Sequence, residues 1–140
     1  MSQEISFTVP LVPPSVNHYV KHTRSGRHYV TADAKAFKSA ISIFCPLGSH
    51  VVGSMFEVEA VVYLGEGQRG DVDGFGKLIL DGLAEAAVFQ RNRPGHKSAR
   101  FPIRQQLSDA YVTDFILRKR RDRKNPRTEI TVRALTGVTQ

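Results

Sequence analysis

The stretch GDVDGFGKLILDGL, residues 70–83, decides the fold expected of this chain. At about 100° per residue, a helix that begins in this stretch and runs a few residues past it divides into two opposite arcs. The apolar arc comprises Phe75, Leu78, Ile79, Leu83 and Ala86. The charged arc comprises Asp73, Lys77 and Asp81. The pattern predicts a helix from about Val72 to Val88 that packs its apolar arc into a core and leaves its charged arc available for chemistry.

A second helix is predicted upstream, from about Ala32 to Cys45. Thr31 is a typical N-cap residue, and Pro46 ends the helical pattern. Apolar side chains recur at helical spacing at Phe37, Ile41 and Phe44. The periodicity therefore predicts that this helix also buries one face.

Four segments with alternating or β-branched residues predict strands. They span Glu4 to Pro10, Met55 to Leu64, Tyr111 to Arg120 and Thr128 to Leu135. In addition, His18 to His22 and Arg27 to Thr31 flank the polar tip Thr23 to Gly26, which predicts a short basic hairpin or a pair of extended arms. We expect one α/β (α+β) domain over residues 1–140, with a mixed β-sheet of about four strands and two main helices.

The segment Arg91 to Leu107 is polar and strongly basic, and it contains Pro94, Gly95 and Pro102. This composition predicts a long loop. Loops of this length are uncommon inside a compact domain and tend to be functional or disordered. We therefore expect the segment to serve a function or to lack order.

The charge of the chain favours a polyanionic partner. Lys and Arg number 20 against 13 Asp and Glu, a net charge of +7, and each phosphate that a protein neutralises releases counterions. The alternative is a basic surface that serves only solubility. The basic residues concentrate at Lys21 to His28, Arg91 to Arg104 and Arg118 to Arg127. The expected phosphate contacts are Lys21, Arg24, Arg91, Lys97, Arg118, Lys119 and Arg120.

The cellular compartment is indicated by the single cysteine. Cys45 cannot form an internal disulfide, and the chain does not open with the basic and apolar segments of a secretory signal. A reducing cytoplasm is therefore expected. No apolar run approaches the roughly 20 residues that span a bilayer, which predicts a protein that is not integral to a membrane.

Three aspartates are candidates for a metal site. Asp71 and Asp73 stand where a loop is predicted to meet a helix, and there both can converge on one hard cation, or instead cap the helix and complement its dipole. Lys77 lies one turn beyond Asp73 and Asp81 one turn further, a spacing that a surface salt-bridge ladder would also explain. Asp109 precedes a predicted strand, where a turn aspartate is ordinary. Three carboxylates brought together repel, and Mg²⁺ is their natural counter-charge.

Three motifs occur in order along the chain. Residues 70–83 contain D-x-D, then Lys77, then D-x-L, residues 108–112 are SDAYV, and Pro13-Pro14-Ser15 is followed by Asn17. Together they resemble the signature of the RusA family of Holliday junction resolvases. In that family the corresponding segments are D-x-D-N with a lysine and D-x-L, then D-D-x-x-V, and a P-P-S-x-N opening. The resemblance covers most of the chain.

The resemblance implies a Mg²⁺-dependent endodeoxyribonuclease, with Mn²⁺ able to substitute. It implies that Asp71, Asp73 and Asp109 are the metal ligands and that Lys77 is a catalytic residue beside the scissile phosphate. Asp81 and Asn17 then hold supporting positions. The family also implies a homodimer that makes paired nicks across a four-way DNA junction.

The chain departs from the family pattern at three places. Gly74 stands where the family has asparagine, which removes any side-chain support from that position. Ser108 stands in place of the first of two paired aspartates, so one fewer carboxylate is available. The basic stretch at about 90–107, Gln90 to Gln106 at its narrowest, is an insertion that could alter substrate preference.

Two other function classes stay open on the sequence. One is a non-catalytic module that binds branched or single-stranded DNA, and the other is a nuclease of broader specificity for flaps or forks. The carboxylates favour an enzyme, because a pure phosphate binder has no use for groups that repel its ligand. A flap or fork nuclease would need the same residues as a junction resolvase.

Overall fold

Nine strands and two α-helices make up the part of the chain that the structure describes. The computed structural model describes residues 3–14, 20–22, 28–46, 49–68, 72–93 and 103–135, with the backbone alone at 20–22, 28–30, 72, 73, 93 and 103. The strands are β1 (Glu4–Val9), β2 (Val20–His22), β3 (His28–Val30), β4 (Val51–Val52), β5 (Met55–Leu64), β6 (Phe89–Arg93), β7 (Ile103–Gln106), β8 (Val112–Arg121) and β9 (Arg127–Leu135). The helices are α1 (Ala32–Phe44), α2 (Val72–Glu85) and a short 3-10 helix over Asp109–Tyr111.

The largest sheet has four strands in the order β1-β9-β5-β8. β9 runs antiparallel to both of its neighbours, whereas β5 and β8 run parallel. The expected mixed α/β domain with a sheet of about four strands and two main helices is therefore confirmed. Parallel neighbours need a long crossover connection, which α2 and the following segment provide between β5 and β8. β8 and β9 are consecutive in the chain, but β5 lies between them.

One face of this sheet and both helices form a single buried core. β5 alternates strictly between buried and half-buried positions, as a strand with one covered face should. Its buried side chains are Phe56, Val58, Ala60, Val62 and Leu64. The predicted apolar arc of α2 is also confirmed for Phe75, Leu78, Ile79 and Leu83, which are fully buried. Its fifth member, Ala86, lies one residue beyond the helix and is half-buried. Burying each such side chain is worth about 1.5–3 kcal/mol, so this face determines where the helix packs.

The predicted cap of α1 is confirmed. The Thr31 hydroxyl accepts a hydrogen bond from the Ala34 N–H at 3.3 Å, and the helix ends at Phe44. α1 packs against α2 at Gly82, where a Cβ would lie 2.5 Å from Ile41 Cδ1. A larger residue at position 82 would therefore separate the two helices.

The predicted end of α2 at Val88 is wrong by three residues. The helix ends at Glu85, and Ala87 adopts a left-handed backbone with φ of 59°. This turn lets the Val88 N–H donate to Leu83 O at 3.1 Å and buries the Val88 side chain. The apolar residues that follow Glu85 enter the core through this turn and not through a longer helix.

The predicted long loop over Arg91 to Leu107 is also wrong. β6 and β7 pair antiparallel within this segment, and β4 pairs parallel with β6 to form a three-stranded sheet. Phe89 and Leu107 are buried at the base of the pair, where the Leu107 N–H donates to Phe89 O at 2.8 Å. The burial of these two side chains anchors strands whose other residues are polar except for Ile103. Residues 94–102 lie outside the described part.

The short basic hairpin is confirmed, because β2 and β3 pair antiparallel from Val20↔Val30 to His22↔His28. Its tip, Thr23 to Gly26, lies outside the described residues. Within the described ranges, no helix has the length and apolar character needed to cross a membrane.

Candidate active site

The first turn of α2 carries Asp73, one of the candidate aspartates. α2 begins at Val72, so Asp73 is its second residue and Asp71 immediately precedes it. Asp71 and the side chain of Asp73 lie outside the described part of the chain. Their roles as metal ligands therefore stay predictions. The start of a helix favours negative charge, because its first N–H groups have no partner within the helix.

Lys77 and Asp81 form an ion pair on the exposed side of α2. Lys77 Nζ lies 3.7 Å from Asp81 Oδ2, at i,i+4 spacing. The Lys77 side chain is 66% exposed and that of Asp81 is 26% exposed. The structure thus contains the i,i+4 pair that the sequence suggested as an alternative to catalysis. Such a pair contributes only a few tenths of a kcal/mol, so its loss alone would destabilise the fold very little.

Asp109 opens the 3-10 helix that contacts α2 and leads directly into β8. Its side chain is half-buried. Among the described residues, its carboxylate has no hydrogen bond and no ion pair. A half-buried carboxylate that makes no hydrogen bond or ion pair with the described residues is available to a cation from outside the chain.

Ser108 has a structural role that the sequence did not indicate. Its hydroxyl accepts a hydrogen bond from the Ala110 N–H at 3.3 Å and caps the 3-10 helix. An aspartate could cap this turn equally well. The serine at this position therefore keeps the local backbone while it removes one negative charge beside Asp109.

Two further residues, Gly76 and Arg121, hold α2, β8 and the loop after β5 together. Gly76 lies directly against the ring of Phe115, so the first half of α2 packs on the beginning of β8. Arg121 Nη1 donates to Gly65 O at 2.8 Å, which ties the end of β8 to the loop that leads from β5 to α2. A glycine inside a helical pattern is the sequence signal that could have identified Gly76 as a packing position.

A hard divalent cation is the ligand predicted for the candidate carboxylates. Among the described side chains, no group of three or more His, Cys, Asp or Glu is placed to hold a metal. The set predicted from the sequence also includes Asp71 and Asp73. Asp71 and the side chain of Asp73 lie outside the described part of the chain. Carboxylate oxygens are the ligands that Mg²⁺ prefers, and Asp109 supplies one without a competing protein cation in the described region.

The predicted phosphate contacts fall in different places. Arg91 is exposed on β6, where Nε and Nη2 both donate to Gln105 Oε1 at 3.2 Å. Lys119 and Arg120 are exposed on β8. Arg118 forms an ion pair with Glu59 at 2.5 Å, so part of its charge is already neutralised. Asn17, Arg24 and Lys97 and the side chain of Lys21 lie outside the described residues.

The sheet face opposite the helices carries a network of ion pairs. Arg133 lies within 3.1 Å of Glu4, Glu57 and Glu59. The hydrogen bond from Arg118, followed by that from Arg133, holds the pKa of Glu59 below its ordinary value. The hydrogen bond that Arg133 donates to the Glu59 carboxylate likewise raises the pKa of Arg133. Because these charges compensate each other, the ion-paired part of this face is a poorer phosphate surface than the exposed Lys119 and Arg120 of β8.

A shallow cavity of about 330 Å³ lies beyond the C-terminal ends of the two helices. It is lined in part by Cys45, His50 and Gln90, and His50 Nδ1 lies 3.3 Å from Arg104 Nη1. Burial raises the pKa of the Cys45 thiol, in agreement with the role of a small core residue. The cavity contains none of the candidate aspartates.

The fold and its carboxylate-bearing helix define a small mixed α/β domain with a candidate cation site. The chain is 26% identical over 129 residues to the crossover junction endodeoxyribonuclease RusA of Escherichia coli, and the match covers 91% of this chain and 92% of the relative. The protein of the same description from Shigella sonnei matches with the same identity and coverage. No family model matches the chain.

Proposed function

We propose that this protein belongs to the RusA family and is a metal-dependent endodeoxyribonuclease that nicks Holliday junctions or related branched DNA. The observation that carries the proposal is the similarity to RusA over nine-tenths of both chains. It is supported by the packing of the Asp109 segment against α2, the helix that carries Asp73 and Lys77.

The proposed metal ligands are Asp71, Asp73 and Asp109, with Mg²⁺ as the cation and Mn²⁺ as a substitute. A bound Mg²⁺ would polarise the scissile phosphate and favour ionisation of the attacking water. The three carboxylates would hold that charge where the phosphodiester approaches. Without a cation they would repel both each other and the DNA backbone.

Lys77 is the proposed cationic group beside the reacting phosphate. Its ammonium would stabilise negative charge on the phosphoryl oxygens or orient the attacking water. Its pairing with Asp81 holds the exposed side chain on the charged face of α2. Asp81 would thus be a positioning residue, as would Asn17 in the N-terminal motif.

DNA would be bound through its phosphates by the basic segments. The proposed contacts are Lys21, Arg24, Arg91, Lys97, Arg118, Lys119 and Arg120. Contacts to phosphates position a protein on DNA without reading its sequence, which suits recognition of a branched shape. Two symmetric strand cuts require two sites, so we propose a homodimer acting on the four-way junction. The buried free thiol of Cys45 agrees with the proposed cytoplasmic location.

The deciding experiment compares labelled four-way junction, flap and linear duplex, each with and without Mg²⁺. We expect paired nicks in the junction only when the metal is present. Asp109→Asn should abolish cleavage, whereas the control Asp33→Asn, an exposed aspartate in the first turn of α1, should cut like the wild type.

Two other outcomes of this experiment would assign the protein a different function. Binding of the junction without cleavage under any metal would make the protein a non-catalytic DNA-binding module. Equal cleavage of flaps and junctions would make it a branched-DNA nuclease of broader specificity.

A further inference from the structure

β8 is an edge strand with an unusual distribution of residues. Within the described residues it pairs only with β5, so its second edge presents backbone N–H and C=O groups without strand partners. Its centre is apolar: Ile116 is 37% exposed, and Phe115 and Leu117 are half-buried. Exposed edges with apolar centres favour pairing with another strand.

The charges on this edge are arranged symmetrically about Ile116. Asp114 lies two residues before Ile116 and Arg118 lies two residues after it. All three occupy the sheet face opposite the helices, because their partners on β5 alternate with the buried residues of that strand. Among the described residues, the Asp114 carboxylate has no hydrogen bond and no ion pair.

We propose that β8 pairs antiparallel with β8 of a second copy of this chain, about a two-fold axis at Ile116. In this register Ile116 lies opposite its own copy, and Phe115 lies opposite Leu117 of the partner. Asp114 lies opposite Arg118 of the partner, and this pair occurs twice. Directly opposed residues of antiparallel strands share a face, so each of these pairs can interact. The four-stranded sheet then continues into the partner as one of eight strands.

Charge complementarity selects this register over its neighbours. Parallel pairing would place the run Arg118 to Arg121 beside the same run of the partner. An antiparallel axis at Leu117 would place Ile116 opposite Arg118. Only the axis at Ile116 sets apolar against apolar residues at the centre and acidic against basic residues on either side. The basic half of each strand then faces the uncharged or acidic half of its partner.

The proposal names the contact surface of the homodimer and rests on the proposed function only for the need of a second copy. Its tests read association and not cleavage. A nuclease that dimerises through another surface would overturn this inference alone, whereas a monomeric nuclease would also overturn the proposed homodimer. A cleavage-inactive protein that pairs through β8 would overturn the proposed function alone.

The first test is a disulfide across the axis. In a Cys45→Ala background, Ile116→Cys places a thiol opposite its own copy, at a Cα separation of about 4.5–5.5 Å that a disulfide can bridge. The control Thr113→Cys is also exposed on β8, but this register separates the two copies of residue 113 by about 20 Å. Mild oxidation should give a covalent dimer with Ile116→Cys and almost none with Thr113→Cys.

The second test exchanges the charges. Asp114→Lys and Arg118→Glu should each replace two attractive pairs by two repulsive ones and raise the dimer Kd about tenfold or more. When the two variants are mixed, both pairs become complementary again, and a heterodimer should form with an affinity near that of the wild type. Sedimentation of each variant and of the mixture measures this.

The inference is overturned if the wild type is monomeric at micromolar concentration. It is also overturned if Ile116→Cys cross-links no better than Thr113→Cys, or if the mixture associates no better than the separate variants. Thermal unfolding of each variant verifies that Arg118→Glu, which places a carboxylate beside Glu59, still folds.

Discussion

Gly76 of α2 packs so closely on Phe115 of β8 that a Cβ at Gly76 would lie 2.8 Å from Phe115 Cε2. This contact sets the distance between the helix that carries Asp73 and Lys77 and the strand that follows Asp109. A methyl group at position 76 must displace the ring or the helix. The placement of the candidate site therefore depends on the absence of a side chain at one residue.

We expect Gly76→Ala to destabilise the protein by about 1 kcal/mol, measured by denaturant unfolding. Overpacking costs about 1–3 kcal/mol, and the gain in helix propensity of about 1 kcal/mol offsets part of it. The cost should be smaller in a Phe115→Leu background, which removes the ring. The same cost in both backgrounds would show that the contact does not determine the packing.

Asp71→Asn, Asp73→Asn and Asp109→Asn should each abolish cleavage while junction binding persists or tightens. The substitutions are nearly isosteric, and each removes negative charge that faces DNA. Gel-shift binding and cleavage of the same labelled junction provide the two measurements. Any of the three variants that cuts at the wild-type rate would exclude that aspartate from the site. Chelation of Mg²⁺ should abolish cleavage by the wild type, as the substitutions do. Added Mn²⁺ should then restore cleavage by the chelated wild type.

Lys77→Ala should slow cleavage strongly without loss of folding, because the Lys77 side chain is exposed and its ion pair with Asp81 is weak. Asp81→Asn is the matched control, since it breaks the same pair but keeps the ammonium. If catalysis needs the ammonium, Lys77→Ala should be far slower than Asp81→Asn. Equal effects of the two substitutions would indicate that only the salt bridge matters.

The β6–β7 segment should contribute phosphate contacts although it is not the predicted loop. Replacing Arg91, Arg93, Lys97 and Arg100 with serine should lower junction affinity and reduce the slope of log K against log salt by about 0.9 per lost contact. Thermal stability should change little, because the anchoring residues Phe89 and Leu107 are retained. Lys35→Ser on α1 is the control. An unchanged slope would exclude the segment from the DNA contact.

Glu59 should make the stability depend on pH. Its pKa is held below the ordinary value of 4.5, so its contribution to stability is present above that pH and is lost as the pH falls through the lower, folded-state value. Glu59→Gln should therefore be less stable than the wild type at pH 7, by about 1 kcal/mol or less, with the difference shrinking in acid. The control Glu66→Gln alters an exposed residue of the loop after β5 and should leave the stability at pH 7 near that of the wild type.

The sequence alone determined the elements with strong periodicity. The strands over residues 4–9 and 55–64, the cap at Thr31 and the buried arc of α2 were predictable, because burial of one face imposes a period of two or 3.6 on apolar residues. The candidate residues Asp71, Asp73, Lys77 and Asp109 were also available from the sequence through spacing and family resemblance. Their assembly into one site stays a prediction.

Only the tertiary structure decided how these elements are connected in space. The parallel pairing of β5 with β8, the insertion of β9 on the other side of β5 and the strands β6 and β7 all depend on contacts between residues distant in sequence. β6 and β7 are mostly polar, and burial of Phe89 and Leu107 anchors them where local composition predicted a loop. The end of α2 was decided in the same way, by the left-handed turn at Ala87 that carries Val88 into the core. Local patterns report which face is buried, whereas the choice of partner depends on a packing energy summed over the whole core.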